Sequence, residues 1–133
     1  MCTESQQPSP SDQVQAKTVL VIDDEATSIS IIKHALTGSG YNILTATSGE
    51  EGLQTAKDSH PDVIITDVLM PSMDGFMLVK ELRRDENTKD TSILVLTARE
   101  NVGDNLLRFG ADAFLTKPIN TQELISAVKR LSA

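Results

Sequence analysis

Hydrophobic residues follow two alternating patterns from Thr18 onward. Five short runs rich in β-branched residues predict strands at 18–22, 42–47, 63–66, 93–97 and 113–116. The first, third and fourth runs are almost continuously apolar, which is typical of strands covered on both faces. Between the runs, apolar residues recur at helical spacing, as at Ile29, Ile32 and Leu36. The pattern therefore predicts five strands in strict alternation with five helices.

Signals for helix boundaries support this division. Ser48 with Glu51, and Asn120 with Glu123, have the spacing of capping boxes at helix starts. Glu25 is best explained as a helix-start acid, and Gly110 stands where a helix should end. Strict alternation of strands and helices predicts a parallel sheet with helices on both faces, and right-handed crossovers leave few topologies for it.

Residues 1–16 differ from the rest of the chain, because they are rich in Ser, Gln and Pro and almost free of apolar side chains. Such a composition predicts a flexible N-terminal tail, followed by one domain over residues 17–131. We expect a complete short protein or a genuine N-terminal domain rather than an internal fragment.

Charge and composition narrow the classes of function. The formal net charge of −7 argues against direct contact with nucleic acid, which requires a basic surface. The apolar runs are too short to cross a membrane. Cys2 is the single cysteine, so no internal disulfide can form, and a cytoplasmic location is expected.

Polar residues stand where the predicted strands end. Ligand sites in parallel sheets lie beyond the carboxyl ends of the strands, which directs attention to Asp23, Asp24, Asp67, Thr97 and Lys117. Each has an ordinary explanation when taken singly: an acid before a helix, a loop acid, a β-forming threonine or a solvated lysine.

Taken together, these residues indicate phosphoryl chemistry. Three carboxylates that converge at neighbouring strand ends repel one another unless a cation relieves them. Oxygen ligands without His or Cys favour Mg²⁺. A lysine and a threonine hydroxyl beside a carboxylate could stabilise a phosphoryl group in transfer. Asp67, the central acid, is the best candidate for the nucleophile.

The sequence resembles the receiver domains of two-component response regulators, a family that includes the chemotaxis regulator and the sporulation phosphorelay receiver. The resemblance covers about residues 17–131 and rests on four motifs in the family's order: "VLVIDDE", "PDVIITDVLMPSMDG", "ILVLTA" and "GADAFLTKP". It implies a flavodoxin-like (βα)5 fold, a doubly wound parallel sheet with strand order 2-1-3-4-5.

The resemblance also implies roles for individual residues. Asp67 would be the phosphoacceptor, and Asp23, Asp24, Asp67 and the backbone carbonyl of Leu69 would bind Mg²⁺, for which Mn²⁺ could substitute.

Further roles concern the phosphate and the switch. Thr97, Ala98 and Lys117 would contact the phosphate, and the peptide before Pro118 would be cis. Thr97 would move toward the phosphate, and Phe114 occupies the position of the aromatic switch residue. Because Phe114 lacks a hydroxyl, an ordinary core role stays equally open for it.

The implied function is that of a signalling switch. A sensor histidine kinase or histidine phosphotransfer protein would phosphorylate Asp67, and the face formed by residues 98–131 would change for an unidentified downstream target or output domain. The protein would not be an enzyme beyond transfer to itself and possible autodephosphorylation. The apolar Leu69 side chain cannot orient an attacking water, and Arg99 could reach over the phosphate or lie out in solvent. We therefore expect a phosphate that lasts longer than in receivers with polar side chains at both positions.

Two other classes of function stay open, the first of them on the same topology. A flavodoxin-type module would bind FMN, but Asp-Asp-Glu after the first strand would repel a flavin phosphate. A hydrolase of the haloacid dehalogenase type uses an acid two residues after its nucleophile, whereas this sequence has Leu69 there. A flavin-coloured preparation would support the first class, and turnover of small phosphate esters would support the second.

Overall fold

A computed structural model describes residues 17–68, 75–98 and 103–133. Five strands and five helices alternate along the chain. The strands are β1 (Thr18–Ile22), β2 (Asn42–Ala46), β3 (Val63–Asp67), β4 (Ser92–Thr97) and β5 (Ala113–Thr116). The helices are α1 (Ala26–Thr37), α2 (Gly49–Ser59), α3 (Gly75–Arg84), α4 (Gly103–Phe109) and α5 (Thr121–Leu131).

All five strands are parallel and form one sheet in the order β2-β1-β3-β4-β5. This confirms the predicted fold class and strand order. In the register of the sheet, Ile22 lies opposite Thr66, and Asp67 lies opposite Leu96. The carboxyl ends of β1, β3, β4 and β5 therefore meet at one edge, which brings the predicted site residues together.

Side chains alternate between two cores on the two faces of the sheet, as the pleat of a strand requires. On β1, Leu20 and Ile22 enter one core, which also contains buried residues of α2, α3 and α4. Val19 and Val21 enter the other core, against α1 and α5. Both faces are thus covered, which explains the continuously apolar strands. Within the described ranges, no helix has the length and apolar character needed to span a membrane.

The caps of α2 and α5 explain where these helices begin. The Ser48 hydroxyl accepts a hydrogen bond from the Glu51 amide, and the Asn120 side chain accepts bonds from Gln122 and Glu123. The Glu51 carboxylate does not bind the amide of Ser48, as an ideal capping box would. It accepts instead from the amide of Thr47 at 2.8 Å.

Strand boundaries differ slightly from the prediction. Thr47, whose amide binds Glu51, lies outside β2, so this strand ends at Ala46 rather than at residue 47. β3 extends to Asp67, so the candidate nucleophile is the last residue of the strand itself.

Candidate functional site

Three aspartates meet at the carboxyl edge of the sheet. Asp23 and Asp24 follow β1, and Asp67 ends the adjacent β3. One carboxylate oxygen from each lies within 4.8 Å of the others. Asp23 is buried, Asp67 is half-buried and Asp24 is exposed, so the cluster opens outward through Asp24.

One oxygen of Asp23 accepts no hydrogen bond from the part of the chain that the structure describes. Its Oδ1 accepts a bond from the amide of Glu25 at 3.0 Å. Its Oδ2 is the buried side-chain oxygen that lacks such a bond among the described residues, although the ammonium of Lys117 lies 3.7 Å away. Burial raises the pKa of Asp23; the Glu25 amide and Lys117 oppose that rise, and the neighbouring Asp67 and Asp24 add to it.

Asp67 is fixed through both carboxylate oxygens. Oδ1 accepts a hydrogen bond from the amide of Val68 at 2.7 Å, and Oδ2 accepts one from the Lys117 ammonium at 2.9 Å. Burial lowers the pKa of Lys117, but the hydrogen bond and charge of Asp67, supported by Asp23 and Glu25, outweigh this and raise the pKa above its ordinary value. Lys117 is therefore a permanent cation beside the candidate nucleophile.

The other predicted phosphate-contacting residues line the same cavity. It has a volume of about 280 Å³ and is lined by Asp24, Glu25, Asp67, Thr97, Ala98 and Lys117. Thr97 ends β4 and is buried, and its carbonyl accepts a hydrogen bond from the Lys117 amide at 2.7 Å. β4 thus positions the lysine through its backbone.

The donor set fits a hard divalent cation. Three carboxylates supply only oxygen. The buried Oδ2 of Asp23, which accepts no hydrogen bond from the described residues and lies 3.7 Å from the Lys117 ammonium, would gain a closer positive partner from a cation beside it. The carbonyl of Leu69, which the family resemblance adds as a ligand, lies outside the described residues. The same holds for Arg99 and for the N-terminal tail over residues 1–16.

Three further sequence predictions concern the surroundings of the site. The Lys117–Pro118 peptide bond is cis, as the resemblance implies. Phe114 is half-buried on β5 and packs against the core beneath α2, α3 and α4, which suits either reading of this residue. Glu25 is the N-cap residue of α1, as expected for a helix-start acid, but its side chain makes no capping bond and accepts from the Ser28 hydroxyl at 3.2 Å.

Gly75 supports the site and was not predicted to do so. Its amide donates to the Val68 carbonyl at 2.7 Å. A Cβ added at Gly75 would lie 2.8 Å from both the Asp67 carbonyl oxygen and the Val68 Cα. Only glycine lets α3 begin this close to the nucleophile. The Asp-Gly that ends "PSMDG" was the available signal, but a turn explained it equally well.

Comparison with known proteins identifies the family of this chain. The model of the response regulator receiver domain matches residues 19–129. The chain belongs to this family. It is 38% identical over 117 residues to the alkaline phosphatase synthesis transcriptional regulatory protein PhoP of Bacillus subtilis, a match that covers 86% of this chain and 48% of that protein. The receiver chain spans about half the length of the curated relatives it matches.

Solved receiver structures share the fold. Chemotaxis protein CheY4 of Vibrio cholerae is 35% identical and superposes with a TM-score of 0.82, over 88% of this chain and 99% of that one. A CheX–CheY–BeF3–Mg²⁺ complex from Borrelia burgdorferi contains a chain 25% identical to this one. That chain superposes with a TM-score of 0.85, over 93% of this chain and 95% of that one.

Proposed function

We propose that this receiver domain accepts a phosphoryl group on Asp67 from a phosphohistidine of a sensor histidine kinase or a histidine phosphotransfer protein. The observation that carries the proposal is the position of Asp67. It is held by Val68 and Lys117 at the mouth of a cavity, beside two further aspartates. The Borrelia burgdorferi structure, which contains Mg²⁺ and BeF3, supports the same chemistry in a relative.

The reaction forms an acyl phosphate. A carboxylate oxygen of Asp67 attacks phosphorus in line with the donor's P–N bond, and that bond breaks with its electron pair going to the imidazole of the donor. The imidazole then takes up a proton from solvent. Little covalent assistance is needed, because positioning and charge neutralisation supply most of the catalysis.

Each residue of the site has a defined part in this reaction. Lys117 supplies a fixed positive charge beside Asp67, and Thr97 supplies a hydroxyl within the same cavity. Asp23, Asp24 and Asp67 would hold Mg²⁺, which supplies the positive charge that lets a dianionic phosphoryl group enter an acidic site. Ala98 leaves room at the rim because its side chain is small.

The consequence for signalling follows from the charge change. Phosphorylation replaces the single negative charge of the Asp67 carboxylate by a phosphoryl group that carries about two, beside the buried Thr97. The pre-existing equilibrium then shifts toward a state in which Thr97 contacts the phosphate. The face made by α4, β5 and α5 then differs for a downstream target. Beyond this self-phosphorylation and its own dephosphorylation, the domain catalyses nothing, and it acts in the cytoplasm.

The test is intact-mass spectrometry after incubation with acetyl phosphate. We expect the addition of one phosphoryl group that requires Mg²⁺ and disappears in Asp67→Asn. Asp58→Asn is the control, because Asp58 is an exposed acid on α2 whose carboxylate accepts a side-chain bond from Gln54 and lies outside the acidic cluster. Retention of the phosphoryl group in Asp67→Asn, or its formation at full rate with EDTA, would refute the assignment.

A further inference from the structure

Arg83, near the carboxyl end of α3, joins three other segments of the chain. Its Nε donates to the Gly110 carbonyl at 2.9 Å. Its Nη1 donates to the carbonyls of Lys89 and Thr91, at 2.9 and 2.6 Å. Its Nη2 binds Asp112 Oδ2 at 2.8 Å. The guanidinium thus connects α3, the loop before β4 and the loop between α4 and β5.

The contact at Gly110 fixes the end of α4. Gly110 follows the last residue of α4 and has φ +118°, a conformation that favours glycine. A Cβ there would lie 3.0 Å from Cγ of Arg83 and 3.5 Å from Cγ1 of Val79. The backbone at the end of α4 therefore rests directly on α3.

An aromatic pair strengthens the same junction. Phe109, the last residue of α4, packs edge-to-face on Phe76 of α3, with ring centroids 5.2 Å apart and an interplanar angle of 70°. Such aromatic pairs stabilise a protein by more than the burial of their apolar area alone. Asp112 extends the junction to β4, since its Oδ2 also accepts from the Ile93 amide at 2.8 Å.

We propose that Arg83 is a positioning residue for the switch. It holds the carboxyl end of α4 on α3, so that phosphorylation displaces the amino end of α4 about a fixed point at Gly110. The inference rests on the proposed function, because it says which end of α4 moves when Asp67 is phosphorylated. Charged hydrogen bonds to carbonyls and a carboxylate are strong enough to keep one helix end in place.

Residue-resolved NMR of the full chain tests this inference, with beryllofluoride and Mg²⁺ as the probe. On addition of the probe, we expect the amide signals of Asn105 and Leu106 to shift. The signals of Gly110, Ala111 and Asp112 should keep their positions and their slow hydrogen exchange, because these amides bind the carbonyls of Leu107, Leu106 and Ile93.

Arg83→Met should release the fixed end. We expect exchange at Gly110 and Ala111 to become about tenfold faster without the probe, and the probe-induced shifts to spread from Leu106 to Asp112. Arg83→Lys keeps the positive charge but loses the planar guanidinium that donates in several directions at once. Its exchange rates and shifts should lie between those of the wild type and Arg83→Met, which provides a second test should Arg83→Met fold poorly.

Two control variants separate positioning from general destabilisation. Thr88→Val removes a buried hydrogen bond of 2.6 Å to the Leu82 carbonyl, at the same end of α3, and leaves the Arg83 bond to Gly110 in place. Arg84→Met removes the neighbouring arginine, which pairs with Glu81 on its own helix. Both should leave the shifts confined to the amino end of α4.

Several outcomes would overturn the inference. One is a wild-type protein in which the probe shifts the amide signals of Gly110 to Asp112 as much as that of Leu106. A second is an Arg83→Met protein whose probe-induced shifts are the same as in the wild type. A third is a Thr88→Val protein whose shifts extend to Asp112 as in Arg83→Met. These results leave the proposed function intact as long as Asp67 and Lys117 respond to the probe. If neither responds, the proposed function fails and the inference fails with it.

Discussion

The Lys117 ammonium donates a hydrogen bond to Oδ2 of Asp67 at 2.9 Å and lies 3.7 Å from Oδ2 of Asp23. One internal cation thus bridges two of the three clustered carboxylates. Its position explains how Asp23, which follows β1, and Asp67, which ends β3, can lie side by side, although the single ammonium leaves the cluster with excess negative charge.

Replacement of this lysine should tighten Mg²⁺ binding. In Lys117→Met the carboxylates lose their internal counter-charge, so we expect the affinity for Mg²⁺ to rise about tenfold, well below the unscreened Coulomb limit. Phosphorylation by acetyl phosphate should nevertheless become slower, because the fixed charge beside Asp67 is lost. Isothermal titration calorimetry measures the affinity. Lys57→Met, which removes a lysine paired with Asp85 elsewhere, is the control, and unchanged affinity in Lys117→Met would contradict the prediction.

Neutralisation of Asp23 should stabilise the metal-free protein. In Asp23→Asn the buried oxygen without a hydrogen-bond partner no longer carries charge beside Asp24 and Asp67. We expect the free energy of unfolding without Mg²⁺ to rise by about 1 kcal/mol and the stabilisation by added Mg²⁺ to be largely lost. Urea denaturation with and without the cation measures both. Asp24→Asn, at the exposed position, should raise the free energy of unfolding by less. An Asp23→Asn protein less stable than the wild type would contradict the prediction.

A side chain at position 75 should disturb Asp67 through the backbone. Gly75→Ala places a methyl group 2.8 Å from the Asp67 carbonyl oxygen, so we expect a loss of about 1–3 kcal/mol in stability together with slower phosphorylation. Gly38→Ala is the matched control, because its added Cβ would meet the His34 carbonyl at an ordinary 3.5 Å. Equal effects of the two substitutions would show that close approach at Gly75 is unimportant.

The cap of α2 predicts a pH dependence. Hydrogen bonds from the amide and hydroxyl of Thr47 hold the pKa of Glu51 below its ordinary value of 4.5. A depressed carboxyl pKa contributes stability that is complete above the unfolded-state pKa and disappears as the pH falls through the folded-state pKa. Glu51→Gln should therefore be less stable than the wild type at neutral pH, and the difference should vanish in acid.

Thermal unfolding from neutral pH to below pH 4 measures this difference. Thr47→Val, which removes the hydroxyl donor, should reduce the pH-dependent part. A difference that is constant across the range would mean that the charge of Glu51 contributes nothing.

The sequence predicted the fold and the main acids because both follow from local patterns. Continuous apolar runs identify buried parallel strands, and a parallel sheet brings the ends of β1, β3 and β4 to one edge. Asp23, Asp67 and Lys117 could be assigned to one site on that basis, and the structure brings them together.

Other features depend on packing between distant segments and could not be predicted. The role of Gly75 follows from the distance between α3 and the end of β3. Arg83 carries no motif, and its hydrogen bonds reach carbonyls as far along the chain as Gly110. The shifted capping bond of Glu51 depends on local backbone geometry at Thr47.

Chemical mapping of the phosphorylated residue tests whether Asp67 is the phosphoacceptor. Borohydride reduces an aspartyl phosphate to homoserine, so protein treated with acetyl phosphate and Mg²⁺, then reduced and digested, reveals the modified position by peptide sequencing. We expect homoserine at position 67 alone, and its formation should depend on Mg²⁺. Homoserine at Asp23 or Asp24, or a phosphoryl group that resists reduction and remains on another residue type, would contradict it.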